Sequence, residues 1–348
     1  METMQLVPIR TNVSSVNQQI IVPNTPQIID ITPLSERPLG KSDARHFIEA
    51  NTKEVDIFQL KNECVVPVFS KDNEITISHP NFIETVWEAA NKFFPNERFL
   101  EPDIRVSHVI KGRVPEAIHK PVNQLLETDK TIYYERMAFC FEIPSIYEDI
   151  EGNRLNLTIG GVRAYNHENL YSKKGVEKFK VFIGFKNLVC CNLCVSTDGY
   201  QTEIKVMSIH DLFNAVMMLF QRYNVSQHLH LMRSFKDTYL TEHQFAQLIG
   251  KSKLYHCLPN AEKKTLPAFE FGDAHINAVA RAYYNDDNFK IDEGATAINL
   301  WRVYNLFTSA NKSSYIDNLL DRSLNATELT TGINKALHGD SEYKWFIE

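Results

Sequence analysis

The chain of 348 residues has 37 Lys and Arg against 43 Asp and Glu, and this net charge of -6 excludes a uniformly basic protein that coats duplex DNA. Its 43% apolar and 23% charged composition excludes disorder along the whole chain. The first six residues lack the basic and apolar runs of a secretory signal, and no apolar run approaches the roughly 18 to 20 residues that span a bilayer. We therefore expect a cytoplasmic protein with reduced cysteines and no contact with a membrane.

Residues 1–45 are predicted to form an extended arm. This segment holds Pro8, Pro23, Pro26, Pro33 and Pro38. Proline removes a backbone donor and restricts the residue before it, so regular elements are hard to sustain here.

Residues 46–207 predict a sheet domain. Apolar and polar residues alternate there with the two-residue period of half-buried strands. Asp198-Gly199 predicts a two-residue hairpin turn before another such strand. Helices are expected near 82–94 and 115–126. The predicted strands are 104–110, 133–141, 155–159, 179–185 and 202–207.

Residues 208–348 predict a helical region that packs on the sheet. Apolar residues in 209–220 recur at three- and four-residue spacing, which forms one helical stripe. Thr241 and Gln244 form a capping box for a later helix, and Gly250 is a plausible stop for it. Further helices are expected around 276–283 and 297–307.

The order of these patterns predicts an α+β fold. We expect a curved, mainly antiparallel sheet with a few helices, followed by a helical C-terminal region.

A closely spaced cysteine group raises the question of a metal site. Cys191 and Cys194 have the spacing of a zinc-ligand pair, and Cys190 lies beside them. The surrounding sequence predicts the end of a strand, where Cys191 points away from the other two and lies about 10 Å from Cys194. The chain has no second cysteine pair. We predict packed thiols, with no metal and no cofactor.

A second pattern is typical of metal-dependent nucleases. Asp198 is followed by Glu203 and Lys205, which share one face of the next predicted strand. Two carboxylates could hold Mg²⁺ while the lysine orients a water molecule. The alternative is a charged strand edge, with Asp198 explained by the turn that it forms.

Residues 154–186 hold a local excess of positive charge, with seven Lys and Arg against two Glu. Aromatic residues alternate with these cations, a pattern that suits single-stranded nucleic acid if both groups are accessible. The alternative is an amphipathic strand whose rings are core and whose lysines are solvated. The predicted nucleic-acid-binding residues are Arg163, Tyr165, Lys173, Lys174, Lys178 and Lys180.

The same region resembles a known family. The runs Gly160-Gly-Val-Arg-Ala-Tyr-Asn166, Glu168-Asn-Leu-Tyr171 and Phe179 to Gly199 resemble domain-of-unknown-function family 3871, and the resemblance extends from about residue 40 to the end. That family is similar to a broader phage/plasmid-like family, number 932. The pattern of the broader family is echoed by residues 189–192 and 301–305.

The resemblance implies a context in phages, plasmids and integrative elements, hence a cytoplasmic protein near DNA processing. It brings no catalytic residues. The chain also departs from the broader family, because Arg163-Ala164-Tyr165 stands where that family has a His-Asp type of pair.

The leading hypothesis is a mobile-element protein without enzymatic activity that binds single-stranded DNA or RNA through the basic and aromatic residues of 154–186. One alternative is a protein-interaction role, such as blocking a host factor, in which the acidic surface resembles DNA. The other is Mg²⁺-dependent cleavage by Asp198, Glu203 and Lys205.

Overall fold

The computed structural model describes residues 46–64, 76–117, 119–167 and 176–348, all of which belong to one compact unit. The arm predicted for residues 1–45 lies outside the described residues. A curled, antiparallel half-barrel sheet is followed by a C-terminal region rich in helices. The α+β prediction is therefore confirmed.

The sheet is built from seven described strands in the order β1-β2-β3-β4-β5, and both β6 and β7 pair with β5. Every pairing between these strands is antiparallel. The strands are β1 (Lys53–Glu54), β2 (Asp103–Arg113), β3 (Lys130–Ile150), β4 (Asn153–Ala164), β5 (Glu177–Asn187), β6 (Leu193–Cys194) and β7 (Tyr200–Val206).

The described helices lie on both sides of the sheet and beyond it, together with a small two-stranded antiparallel sheet. The helices are α1 (Ile57–Asn62), α2 (His79–Phe93), α3 (Ile209–Arg222), α4 (Val225–Ser234), α5 (Glu242–Cys257), α6 (Asn260–Lys263), α7 (Asp273–Asn285), α8 (Leu300–Asn311) and α9 (Ile316–Leu337). The strands of the small sheet are β8 (Tyr239–Thr241) and β9 (Ala297–Asn299).

Along the central strands β3, β4 and β5, side chains alternate between two cores. On one face, Phe82 of α2 packs its ring 5.2 Å from that of Phe139 and 4.7 Å from that of Phe179, centroid to centroid. On the other face, Val162 and Phe182 belong to a smaller core with Ile316, Leu319 and Leu320 of α9. Both faces of the central strands are therefore buried.

The capping box at the start of α5 is confirmed, since Thr241 accepts from the backbone of Gln244 and the Gln244 side chain accepts in return. The predicted stop at Gly250 is wrong, because α5 continues to Cys257. A glycine inside a helix costs only about 1 kcal/mol relative to alanine, so its helix-forming neighbours can keep the helix intact. The helix expected from residue 297 begins at Leu300, after β9.

The helix predicted for 115–126 is also wrong. The described part of this stretch contains the short 3-10 turns Pro115–Ala117 and Val122–Gln124. Pro121 lies between them; its ring removes a backbone donor and disfavours helical geometry at the preceding residue.

The Asp198-Gly199 turn does not form the predicted hairpin, because β6 and β7 pair with β5 and not with each other. Gly199 is needed for a different reason. A Cβ at this position would lie 2.2 Å from the carbonyl oxygen of Ile183 and 2.9 Å from the ring of Tyr223. The turn is therefore pressed against β5.

Candidate functional site

Arg163 and Tyr165 lie in the protein interior, each about 1% exposed. The guanidinium of Arg163 forms an ion pair with Glu177 and a hydrogen bond to the carbonyl of Ile77. It also lies 4.4 Å from the ring centroid of Tyr165 and 4.5 Å from that of Phe179. The accessibility that the sequence hypothesis required of Arg163 and Tyr165 is not observed.

Lys178 and Lys180 share one face of β5, and both are engaged by carboxylates. Lys178 Nζ lies 2.9 Å from Glu203 of β7. Lys180 Nζ lies 2.5 Å from Asp321 and donates to the carbonyl of Asp317 at 2.8 Å. The positive charge of both lysines is thus partly neutralised by carboxylates of the same protein. Lys173 and Lys174 lie outside the described residues.

The aromatic residues between these lysines are core residues. Phe179, Phe182 and Phe185 are each at most 1% exposed. Phe179 packs against Phe82 of α2 and Phe185 against His228 of α4, whereas Phe182 belongs to the core under α9. In the described part of 154–186, the alternation of lysines and rings therefore belongs to a strand whose rings pack into the cores on both faces of the sheet. Its Lys178 and Lys180 are paired with carboxylates.

Of the residues of the nuclease hypothesis, Glu203 and Lys205 pair with each other, whereas Asp198 has other partners. Asp198 accepts hydrogen bonds from Ser196 at 2.6 Å and from the backbone of Asn224 at 2.8 Å, so it ties the turn to the start of α4. Glu203 lies 2.7 Å from Lys205 and 2.9 Å from Lys178. Hydrogen bonds from Lys205 and then Lys178 lower the pKa of Glu203 to about 2. Glu203 is thus held as a carboxylate between two ammonium groups.

The cysteine segment is not the predicted strand end, because Cys190 lies in a turn after β5 and Cys194 lies in the short strand β6. Cys191 has a φ of 58°, in the left-handed region that few residues other than glycine adopt, and it is half-buried. Burial raises the pKa of both Cys190 and Cys194 to about 12, so these thiols stay protonated. Across the described ranges, no group of His, Cys, Asp and Glu has the arrangement of a metal site.

The two segments that echo the broader family meet inside the protein. Asn192, beyond β5, donates its side-chain amide to the backbone carbonyl of Asn305 in α8 at 3.1 Å. Asn305 in turn donates to the carbonyl of Trp301 at 2.9 Å. Asn192 and Asn305 are both 0% exposed. Sequence reasoning singled out these positions, and the fold uses them to join the sheet to the helices.

Four lysines that the sequence patterns did not point to lie on α5, on α6 and at the C-cap of α6. They are Lys251, Lys253, Lys263 and Lys264, and we call them the C-terminal lysine surface. Glu262 is the single acidic residue in 250–266. Within the described part of the chain, none of these four lysines has a carboxylate within 4.0 Å.

Aromatic rings accompany the C-terminal lysine surface. Lys251 Nζ lies 5.0 Å from the ring centroid of Trp345, which is partly exposed. Lys263 Nζ lies 5.9 Å from the ring centroid of Tyr255, and the rings of Tyr255 and Trp345 are 6.4 Å apart. The pairs Lys-x-Lys and Lys-Lys were the available sequence signal. About ten residues separate them, and only the fold shows that one lysine of each pair, Lys251 and Lys263, lies beside the neighbouring rings of Trp345 and Tyr255.

A family model described as "Domain of unknown function, B. Theta Gene description (DUF3871)" matches residues 31–347. The chain belongs to this family. The match covers the sheet and the helical region alike, so the DUF3871 fold comprises both. No curated protein and no solved structure matches the chain. Among the described helices of this DUF3871 protein, none combines the length and apolar character needed to cross a membrane.

Proposed function

We propose that this DUF3871 protein is a non-enzymatic, cytoplasmic protein of a mobile element, related to family 932, that binds single-stranded nucleic acid. We assign the binding to the C-terminal lysine surface. The observation that carries the proposal is that its four lysines have no carboxylate within 4.0 Å among the described residues, although the chain as a whole is acidic.

Whether a lysine already contacts a carboxylate determines how strongly it can attract a phosphate group. A phosphate that approaches Lys178 or Lys180 must compete with a carboxylate already in contact with the ammonium group. A phosphate that approaches Lys253 or Lys264 replaces only water and mobile counterions, whose release favours binding. Trp345 adds an aromatic ring beside the cations, as single-strand sites commonly do.

The test is fluorescence anisotropy of a labelled oligothymidylate, titrated with the full chain at several salt concentrations. We expect affinity to fall steeply with salt, and the quadruple variant K251A/K253A/K263A/K264A to lose at least tenfold in affinity. The slope of log K against log salt should decrease by up to about 3, given about 0.7 per phosphate contact on single strands.

The matched control is K178A/K180A, which removes two lysines that already have acidic partners. This variant should bind the oligonucleotide within about twofold of the wild type, since both lysines are already paired with carboxylates. Loss of the two ion pairs should also change the stability of the protein little. Absence of binding at low salt, or equal losses in the two variants, would rule the proposal out. The oligonucleotide should also remain intact with Mg²⁺ present; its cleavage would favour the nuclease hypothesis at Asp198, Glu203 and Lys205.

A second candidate, a protein-interaction role such as blocking a host factor, is favoured by the connection between β2 and β3. It presents Val122 and Leu126 to solvent at 76% and 62% exposure. The connection is nevertheless held in place, because Lys120 Nζ lies 2.7 Å from Asp129, which also accepts from the backbone of Leu126. Exposed apolar residues that form a contiguous patch are typical of protein-interaction sites.

Capture from a nuclease-treated lysate of a phage- or plasmid-bearing host separates the two candidates. A partner that wild-type protein retains and V122S/L126S protein loses would favour the interaction role. K251A/K253A/K263A/K264A should behave as wild type in that assay.

A further inference from the structure

A cleft of about 400 Å³ lies between the start of α5, the end of α7 and the connection from α7 to β9. This volume is within the range of ordinary ligand pockets, roughly 300 to 1,000 Å³. The side chains that matter for its chemistry are Glu242, Tyr283, Tyr284, Lys290, Asp292 and Glu293.

Hydrogen bonds hold the walls of this cleft in place. The backbone N–H of Ile291 donates to the carbonyl of Tyr283 at 2.9 Å, and that of Glu242 donates to the carbonyl of Thr296 at 3.1 Å. Arg302 donates to the carbonyl of Lys290 at 2.9 Å and to Asp292 at 2.7 Å. A ligand would therefore enter a site that is already ordered.

The cleft has an excess of negative charge. The carboxylates of Glu242 and Glu293 have no Lys, Arg or His within 4.0 Å in the described parts of the chain, whereas Asp292 pairs with Arg302. Lys290 is the one basic residue of the lining. Tyr284 donates its hydroxyl to Glu242 at 3.0 Å, which fixes the position of that carboxylate.

Tyr283 supplies an independent sign of a ligand. It lines the cleft and is 1% exposed, yet its hydroxyl has no hydrogen-bond partner among the described residues. Its ring is held by stacking on Phe245 at 4.2 Å and by an edge contact with Tyr284 at 4.7 Å. A buried hydroxyl without a partner is destabilising, so its retention needs a reason.

We infer that this cleft binds a guanidinium group, presented as the arginine side chain of a peptide segment. Glu242 and Glu293 would accept hydrogen bonds from the planar guanidinium, and the unpartnered hydroxyl of Tyr283 would accept another. The exposed ring of Tyr284 offers a face for stacking. Guanidinium suits this set better than ammonium because it is planar, carries five donors and stacks on aromatic rings.

The inference is independent of nucleic-acid binding, because Glu242 lies at the first residue of α5 and the C-terminal lysine surface at its other end. The test titrates the full chain with the peptide acetyl-Gly-Arg-Gly-amide in a calorimeter. The control peptide carries citrulline, which keeps the shape of arginine and lacks its charge. We expect the arginine peptide to bind at least tenfold more tightly than the citrulline peptide.

Variants locate the binding. E242Q and E293Q should each weaken binding of the arginine peptide by about fivefold or more, whereas E262Q, outside the cleft, should leave it unchanged. Y283F should also weaken binding, while its urea midpoint stays the same or rises because an unpartnered buried hydroxyl is removed. Y315F, which alters an exposed tyrosine elsewhere, should affect neither measurement.

Equal affinities for the arginine and citrulline peptides would overturn the inference, as would full binding by E242Q/E293Q. A lysine peptide that binds as tightly as the arginine peptide would overturn the preference for guanidinium. Loss of binding in Y283F accompanied by an equal loss of stability would assign Tyr283 a structural role instead.

Discussion

Asn187 at the end of β5 donates its side-chain amide to the side-chain oxygen of Asn305 in α8, at 3.1 Å and with both residues fully buried. The partners are 118 residues apart in the sequence. Asn192 donates to the backbone of the same Asn305, so one amide from the end of β5 and one from the segment after it converge on one residue. This contact joins the sheet to the helical region with bonds that require defined geometry.

Replacing Asn305 with alanine should lower the free energy of unfolding by about 2–4 kcal/mol, because the change removes the buried hydrogen bonds of Asn305 with Asn187 and Trp301 and leaves one N–H of the Asn187 amide without a partner. Urea denaturation followed by circular dichroism measures the loss. Asn214→Ala on the exposed side of α3 is the matched control and should shift stability by less than about 0.5 kcal/mol. Similar losses in both variants would contradict a special role for the buried amides.

The buried ion pair of Arg163 and Glu177 predicts that replacing Glu177 lowers the free energy of unfolding more than replacing Arg163 does. Glu177 also accepts from the backbone N–H of Ile77 at 3.0 Å and is partly exposed, so it tolerates the loss of its partner better than the fully enclosed Arg163 does. We expect Glu177→Ala to cost about 3–5 kcal/mol in unfolding free energy, and Arg163→Met to cost less, because methionine fills the site without a charge.

The double variant R163M/E177A completes a thermodynamic cycle and should be more stable than the sum of the two single losses implies. Lys205→Ala, which removes an exposed partner of Glu203, should change unfolding free energy by at most about 1 kcal/mol. Strict additivity at Arg163 and Glu177 would refute the coupling.

Two buried histidines predict a loss of stability in mild acid. Burial lowers the pKa of His79 to about 3, and the charge of Arg163 acts in the same direction. Burial also lowers the pKa of His228 to about 4. In the unfolded chain both rings titrate near about 6.5, so below that pH the unfolded state binds protons that the folded state does not.

The contribution of these two histidines to the free energy of unfolding is therefore fully present above about pH 6.5. It falls as the pH decreases, by up to about 1.4 kcal/mol per pH unit for each ring. Urea denaturation at about pH 7.5 and about pH 5.5 measures the slope. His228→Gln should flatten it, whereas His230→Gln, exposed on the same helix, should not. A wild-type slope that His228→Gln leaves intact would exclude His228 as its origin.

Two glycines inside helices should respond to alanine in opposite ways. A Cβ at Gly332 of α9 would lie 2.1 Å from the ring of Tyr343, so Gly332→Ala should destabilise by about 1–3 kcal/mol. A Cβ at Gly250 of α5 meets nothing within 4 Å, so Gly250→Ala should stabilise by about 0.5–1 kcal/mol. Thermal denaturation of the two variants checks both signs, and a stabilising Gly332→Ala would show that the ring moves aside freely.

Local sequence patterns predicted the elements well where packing reinforces them. The strand predicted for 179–185 is the centre of β5, and the capping box of Thr241 and Gln244 begins α5. The predictions were wrong where one or two residues alone were expected to end a helix or to form a hairpin turn. Gly250 does not stop α5, and the Asp198-Gly199 turn joins two strands that do not pair with each other.

By itself, the sequence determined the fold class, the positions of most strands and helices, and the family, because apolar periodicity and motif order are local properties. Tertiary structure decided which charges are available to a ligand. Lys178 and Lys253 look alike in sequence, yet β7 brings Glu203 to Lys178, and no described carboxylate lies within 4.0 Å of Lys253. The physical reason is that an ion pair depends on distances between residues far apart in the chain, which only the folding of the strands and helices sets.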